Sequence, residues 1–462
     1  MANSYLTRTP SSTGNRRKFT FSAWVKFNFN QLENNSRIFS CGSATSAWVS
    51  AYINANGTLQ LAIVEGGNTY DILTNRLFRD ESAWYHLVFV VDTENTTANN
   101  RLRMYVNGEE ETSFSQRNNP TKDLDTQANT ASKPIDIGSA ENVGYSPRYF
   151  PGYMSHVAMV DGQVLTPTSF GETDSTSGIW KFKGPSGLSW GTNGFHLKFE
   201  NSGALGADSS GQGNTFTVQG NLKQALDTPS NNHATLNSLD TGYSSAVINL
   251  ANGNNTTMNT SGFGDYGIRS TLGVSKGKWY WECKNAAVNG GGGNTMAIIP
   301  MSKRLVINIM SASGPTAGVY GIQRYSDSSI NIHTNGSIAS QNTAMFGGGF
   351  TTSDIIGFAL DMDNGKLYIS KNGAYKDSSG NTGNPATQAY PTFTGLSTGE
   401  FYSFYSEMRM NNDNGLQVNF GEGRFGTTAI SSAGSNGNGA LFEYDVPSGF
   451  YALNTKNINT YG

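Results

Sequence analysis

Carboxylates, imidazoles and thiols are the side chains of this chain that can do chemistry, and their spacing decides which chemistry. Glycoside hydrolysis needs two carboxyl groups about 5 to 10 Å apart. Residues two apart on a strand share a face, so Glu-x-Asp-x-x-Glu would place such a pair, and it does not occur in the 462 residues. The nearest acidic groups are Glu109-Glu110-Glu111, a solvated edge beyond a hairpin turn, and Asp361-Met362-Asp363, whose carboxylates can meet on one face. The five histidines, His86, His156, His196, His233 and His333, are scattered. No two have the i, i+2 or i, i+4 spacing of a metal site, and no cysteine cluster accompanies them. His86 and His156 fall inside strand-like runs and read as satisfied sheet residues. No serine is read as the nucleophile of an elbow motif. Gly290–Gly293 and Gly347–Gly349 lack the following helix and lysine of a phosphate cradle. Cys41 and Cys283, the only cysteines, fall in different halves, so each reads as a small apolar sheet residue. An enzyme is not expected.

Composition argues against charged partners as well. Lys and Arg (31) nearly balance Asp and Glu (34), charged residues make up 14% of the chain, and a net charge of −3 offers nothing to nucleic acid. No apolar run approaches the roughly twenty residues of a membrane span. Met1-Ala-Asn-Ser-Tyr-Leu-Thr-Arg8 lacks the basic start and apolar core of a signal peptide, so synthesis in a cytoplasm is expected. In place of charge the chain carries 55 Gly with abundant Ser, Thr and Asn, the composition of many short strands joined by turns.

The elements that must position any site are therefore strands. Residues 19 to 29 alternate, with Phe19, Phe21, Ala23, Val25, Phe27 and Phe29 on one face and Trp24 as the exception on the polar one. Leu102–Gly108 and Leu367–Gly373 each run into an Asn-Gly pair suited to a tight type I′ turn, and each follows an apolar strand ending in aspartate, Asp92 or Asp361. Trp279, Trp281 and Cys283 share a face of one strand. Thr166-Pro167 reads as an N-cap with proline in the first helical position. The apolar periodicity fades between 201 and 240. The expected fold class is all-β, with two antiparallel β-sandwich (jelly-roll) domains in tandem at 1–200 and 241–462, joined by a connecting segment at 201–240.

In order, Trp84–Asp92, Leu102–Gly108 and Gly152–Asp161 make the first 200 residues resemble the laminin-G-like, concanavalin-A-like jelly roll. Gly277–Glu282, Ile356–Asp363 and Leu367–Gly373 make the second half resemble a SPRY domain, which implies a turn-stabilising role for Asp361 and Asp363. The combination, with Asp208–Asn214 and the closing Val446–Leu453, is similar to virion proteins of marine tailed bacteriophages.

These resemblances imply a non-enzymatic virion protein, a tail appendage or fibre adhesin that binds the host surface. A capsid decoration protein and a secreted glycan-binding lectin are the alternatives. Its expected partners are other virion proteins, a host surface glycan or protein, and further copies of itself, without nucleic acid or membrane insertion. Residues from Met1 to about Arg17 are expected to help anchor it. Sugar would stack on Trp48, Tyr70, Tyr145 or Tyr149 in the first module and on Tyr320, Tyr325 or Phe350 in the second, although each of these positions also fits a core. Rim loops at 112–132, 285–295, 311–318 and 374–390 are the other candidate surface. No cofactor is required. Calcium is the ion that the laminin-G resemblance implies, with Asp92, Glu94, Asp123 and Asp125 as loop carboxylates able to hold it.

Overall fold

A computed structural model of the chain describes residues 4–144, 148–243, 249–258, 265–287, 294–305, 316–324, 330–342, 344–409 and 415–462, and strand counts refer to these. The chain divides into two units, Met1–Gln224 and Ala225–Gly462. The expected connecting segment is therefore divided between them. Phe216 packs against Phe195 with ring centroids 4.7 Å apart, and Thr217–Gln219 pairs with Tyr5–Arg8, closing the first unit. Leu236–Tyr243 pairs with Asp265–Val274, opening the second. A three-residue strand among turns has no periodicity to read, which is why this segment resembles a linker.

The first unit is a sandwich of an eight-stranded and a six-stranded antiparallel sheet. The larger runs Phe114–Asn118, Asn68–Leu77, Thr58–Glu65, Ala47–Ile53, Ser36–Ala44, Ile135–Ile137, Tyr5–Arg8, Thr217–Gln219 in spatial order. The smaller runs Phe195–Leu197, Gly152–Asp161, Lys18–Phe27, Tyr85–Asp92, Leu102–Val106, Glu109–Glu110. Alternation puts Phe19, Phe21, Ala23, Val25 and Phe27 into the core between the sheets, opposite Phe39, Cys41, Leu61 and Ile63. Leu6 is buried in the same core and the Gly14 N–H donates to the Asn129 carbonyl at 2.7 Å. Within the segment expected to act as an anchor, Tyr5–Arg8 is therefore a strand of the sandwich and Gly14 is hydrogen-bonded to it.

The second unit packs a seven-stranded sheet on a nine-stranded one around Trp279, Trp281, Cys283, Phe358 and Phe404. Both cysteines are free and buried. The anticipated helical turn is a 3-10 turn, Pro167–Ser169, after Thr166. A C-terminal helix, Thr455–Tyr461, also escaped the sequence; the Asn454 side chain caps it by accepting from the Asn457 N–H at 2.9 Å.

The internal echo extends to hydrogen-bond register. Asn107 and Gly108 have φ of 49° and 88°, and Asn372 and Gly373 have 51° and 79°, so both pairs occupy the left-handed region that the tight turn requires. Each asparagine holds the start of the strand before its own, at His86 or Ile355. Its N–H donates to the carbonyl of His86 or Ile355 and its Oδ1 accepts the same residue's N–H, all at 2.8 to 2.9 Å. Val88 pairs with Tyr105 as Gly357 pairs with Ser370. A later aromatic ring then lies on each turn glycine: a Cβ on Gly108 would be 2.5 Å from Trp180 Cε3, and one on Gly373 would be 2.8 Å from Tyr444 Cδ1.

Those rings belong to trailing segments that cover one outer sheet face in each unit. In the second, Ala440, Phe442, Val446 and Phe450 cover Tyr280, Ala359 and Tyr368. The Glu282 carboxylate beneath accepts the N–H groups of Glu443 and Tyr444 at 2.9 Å and the Tyr280 hydroxyl at 3.0 Å. Burial pushes the Glu282 carboxyl up to about 7.

Gly108→Val and Gly373→Val each force a β-branched residue into positive φ and against an aromatic ring. Each is expected to destabilise its own unit by about 2 kcal/mol or more. Scanning calorimetry should show that unit's transition falling while the other unit's stays in place.

Candidate functional site

Packing buries one face of each sheet of the first unit, and the six-stranded sheet's other face is covered by the trailing segment. The outer face of the eight-stranded sheet is different in chemistry. Inward positions there are apolar, so the alternate residues Tyr5, Thr7, Arg37, Tyr52, Gln60, Asp71, Gln116, Asn118 and Asp136 face outward.

Toward one edge Asp71, only 1% exposed, is held by amides from neighbouring strands. Gln60 Nε2 donates at 2.6 Å, Gln116 Nε2 at 2.8 and 2.9 Å, and Asn118 Nδ2 at 2.9 Å. A buried carboxylate requires such donors, and its demand fixes three amide groups in a row, two of them on exposed residues. In the middle, the Arg37 guanidinium lies 4.1 Å from the Tyr52 ring centroid and 4.9 Å from that of Trp48.

Toward the other edge stands a second cluster. Asp136 accepts from the Thr7 hydroxyl at 2.7 Å, from Asn142 Nδ2 at 2.7 Å and from the Asn142 N–H at 3.1 Å. Burial, and beyond it the charge of Glu141, raises the Asp136 carboxyl above its ordinary range despite these donors. The Tyr149 hydroxyl donates to Glu141 Oε2 at 3.1 Å, and its ring lies 6.1 Å from that of Tyr5 at an angle of 35°. Burial, and then the bond to Glu141, pushes the Tyr149 phenol up to about 12. Two half-buried tyrosine rings beside amide, hydroxyl and carboxylate groups suit a polyhydroxylated ligand, whose C–H faces stack while its hydroxyls donate and accept.

Of the described sequence candidates, Trp48 and Tyr149 lie on this face, and Tyr149 is the accessible one. Trp48, Tyr320 and Phe350 are 5%, 3% and 1% exposed, Trp48 in a cluster with Tyr52 and Val143 and the other two in the second unit's core; each is corrected from platform to packing. Tyr70 is half-buried against the first core, on the inward side of its strand. Tyr145 and Tyr325 lie outside the described residues, as do parts of the candidate loops at 285–295 and 311–318. The loop expected at 112–132 contains the strand Phe114–Asn118 that carries Gln116 and Asn118.

The calcium set does not fit an ion. Asp123 pairs with Lys122 at 2.8 Å, Asp125 with Arg17 at 2.6 Å and Arg16 at 3.7 Å, and Glu94 with Lys18. Asp92 Oδ2 accepts from Asn95 Nδ2 at 3.3 Å. Among the described residues no three His, Cys, Asp or Glu side chains converge as a metal site. Cations of the chain already pair with Asp123, Asp125 and Glu94, and Asp92 belongs to no converging set of three among the described residues, which corrects the assignment of Asp92, Asp123 and Asp125.

Asp361 and Asp363 lock a hairpin, as the SPRY resemblance implies. Asp361 pairs with Lys278 at 3.0 Å and accepts from Asn364, and Asp363 accepts the Gly277 N–H at 2.8 Å. One motif escaped the sequence reading: Gly187-Leu188-Ser189-Trp190-Gly191 has the letters of a serine elbow. No strand enters it and no helix leaves it, so it lacks the strained turn that poses a nucleophile.

A family model, Laminin_G_3 of the concanavalin A-like lectin/glucanase superfamily, matches residues 1–169. The first unit, which contains the matched residues, has a jelly-roll-like fold of antiparallel sheets. No curated protein sequence matches the chain. Among solved structures, the SPRY domain of human HERC1 is 16% identical, with 40% of this chain and 96% of that one covered and a TM-score of 0.29. A heptameric SAP-like pentraxin from Limulus polyphemus is 20% identical over 40% of this chain and 82% of that one, with a TM-score of 0.28. Domain 4 of AbnA, a GH43 extracellular arabinanase from Geobacillus stearothermophilus solved with arabinotriose, is 23% identical over 35% and 68%, with a TM-score of 0.26.

Asp71→Ala removes the charged acceptor that fixes Gln60, Gln116 and Asn118. Denaturant unfolding is expected to show the first unit less stable by about 1–3 kcal/mol.

Proposed function

We propose that the chain is a non-enzymatic glycan-binding protein that uses the outer face of the first unit's eight-stranded sheet. The observation that carries this reading is the fixing of exposed amides by the buried Asp71 carboxylate, in line with a second cluster around Tyr5, Asp136 and Tyr149. Amides held in place lose little freedom on binding, so each hydrogen bond to a sugar hydroxyl contributes more. The same hydrogen bonds argue against hydrolysis. Asp71 and Asp136 already accept three or more donors each, whereas a catalytic acid must offer its proton to the leaving oxygen.

The setting we propose is the outside of a bacteriophage particle, in a tail appendage or fibre that meets the host, with capsid decoration or a secreted lectin as the other settings. The support for it is the similarity of motif order to virion proteins stated above. Individually weak polar contacts become useful through many copies, so association with other virion proteins and with further copies of this chain belongs to the same reading.

Purified protein is expected to bind host surface polysaccharide without shortening it. In biolayer interferometry, Tyr149→Ala and the Gln116→Ala/Asn118→Ala pair should each weaken binding about tenfold, the equivalent of about 1.4 kcal/mol. Release of reducing ends, abolished by Asp136→Asn, would establish a hydrolase instead.

A further inference from the structure

The outer face of the first unit's six-stranded sheet is apolar, with Val88, Val90, Tyr105, Ala158 and Val160 clustered beneath Phe170. The segment 171–190 follows Phe170, contains the hairpin Gly171–Thr173 and Trp180–Phe182, and packs on this face. Three of its aromatic side chains meet the sheet, and each meets a histidine. Trp180 Nε1 donates to His86 Nδ1 at 3.0 Å with the rings stacked 5.9 Å apart. Phe182 stacks on His156 at 3.6 Å, and Trp190 stacks on His196 at 5.8 Å. His156 Nδ1 and His196 Nε2 are 3.4 Å apart, which joins the last two contacts.

This arrangement requires unprotonated imidazole. Because Trp180 donates to Nδ1, that nitrogen must keep its lone pair, leaving Nε2 to donate to the Ser22 hydroxyl at 2.9 Å. A second proton on His86 would set one N–H against another. Protonating both His156 and His196 would place two cations side by side. We propose that segment 171–190 is an acid-released strap, lifted from the sheet when these histidines take up protons while the sandwich beneath stays folded.

The surroundings agree in sign. Burial lowers His86 to about 3. Burial, the neighbouring His196 and Lys198 lower His156 to about 4, and burial and Lys198, opposed by Asp208, lower His196 to about 4. Trp24 stacks on the His86 ring at 4.8 Å, and Phe170 lies 6.5 Å from it edge-on. Arg103 and Glu110 flank Tyr105 on this face, and on the strap itself Lys181 pairs with Glu172 and Asp174. The strapped state therefore binds fewer protons than the released one. Strap stability is fully present above the ordinary histidine value of about 6.5 and is lost as pH falls toward 4, by up to about tenfold in the opening equilibrium per histidine per pH unit.

The second unit supplies an internal control. Its cover, 431–453, is pinned by Glu282, facing Tyr280, Tyr375 and Glu443, with its carboxyl raised to about 7. Acid protonates that group in the covered state first, so falling pH between about 7 and 4.5 strengthens this cover.

Hydrogen–deuterium exchange of the full chain from pH 7.5 to 4.5, corrected for the intrinsic pH dependence of exchange, tests the idea. Protection in 171–190 is expected to fall by up to about tenfold per histidine for each pH unit below about 6.5, while Phe19–Val25, Tyr85–Asp92 and 431–453 hold theirs. In His156→Asn/His196→Gln the loss should move to lower pH, and in Phe182→Ala, which keeps every histidine, to higher pH. Undiminished strap protection at pH 4.5, or loss only together with the sheet strands, overturns the proposal, whether or not the double variant folds. An unchanged profile in a folded double variant removes His156 and His196 from it.

Discussion

Packing two sheets face to face hides one face of each and leaves the other turned outward. Water tolerates that second face only if it is polar or covered. In the first unit the six-stranded sheet takes the covered solution, with valines and Tyr105 under the strap, while the eight-stranded sheet is covered in its middle, where Trp48, Tyr52, Ala62 and Val64 pack with Ala140 and Val143, and polar toward both edges. The second unit covers Tyr280, Ala359 and Tyr368 in the same way. A division of labour follows from this: one face is closed by the chain's own trailing segment, and the other keeps polar groups at its two edges, where we propose that glycan binds.

Much of the fold was legible because local rules act within a few residues. Alternation from Phe19 to Phe27 identified the inward face residue by residue, and the two Asn-Gly pairs fixed the tight hairpins they close, Val106 opposite Glu109 and Lys371 opposite Ala374. Trp24, which broke the alternation, was also informative. It points to the covered face, where it stacks on His86, so an aromatic residue at an outward position marked a cover that only the folded chain brings into place.

The candidate site was far less legible, for a physical reason. Whether Trp48 or Tyr149 is a platform depends on what comes from elsewhere in the chain to lie over it, and no periodicity reports that. Asp71 gave a clearer hint, a carboxylate between Tyr70 and Ile72 in an apolar run, but its donors Gln116 and Asn118 come from a strand that composition disguised as loop. His156 and His196, forty residues apart, meet because Gly152–Asp161 pairs with Phe195–Leu197 and bulges at that point, giving His156 a φ of 47°.

The pairing of Tyr5–Arg8 with Thr217–Gln219 also governs how the first unit can be made. A sheet whose earliest strand waits for one more than two hundred residues later cannot be completed during most of its own translation, and closing so long a loop slows folding even when the product is stable. Until the late strand leaves the ribosome, the backbone edge of Tyr5–Arg8 on that side stays open to any extended segment, including the same strand of a neighbouring nascent chain. Crowded polysomes would favour exchanged strands between copies.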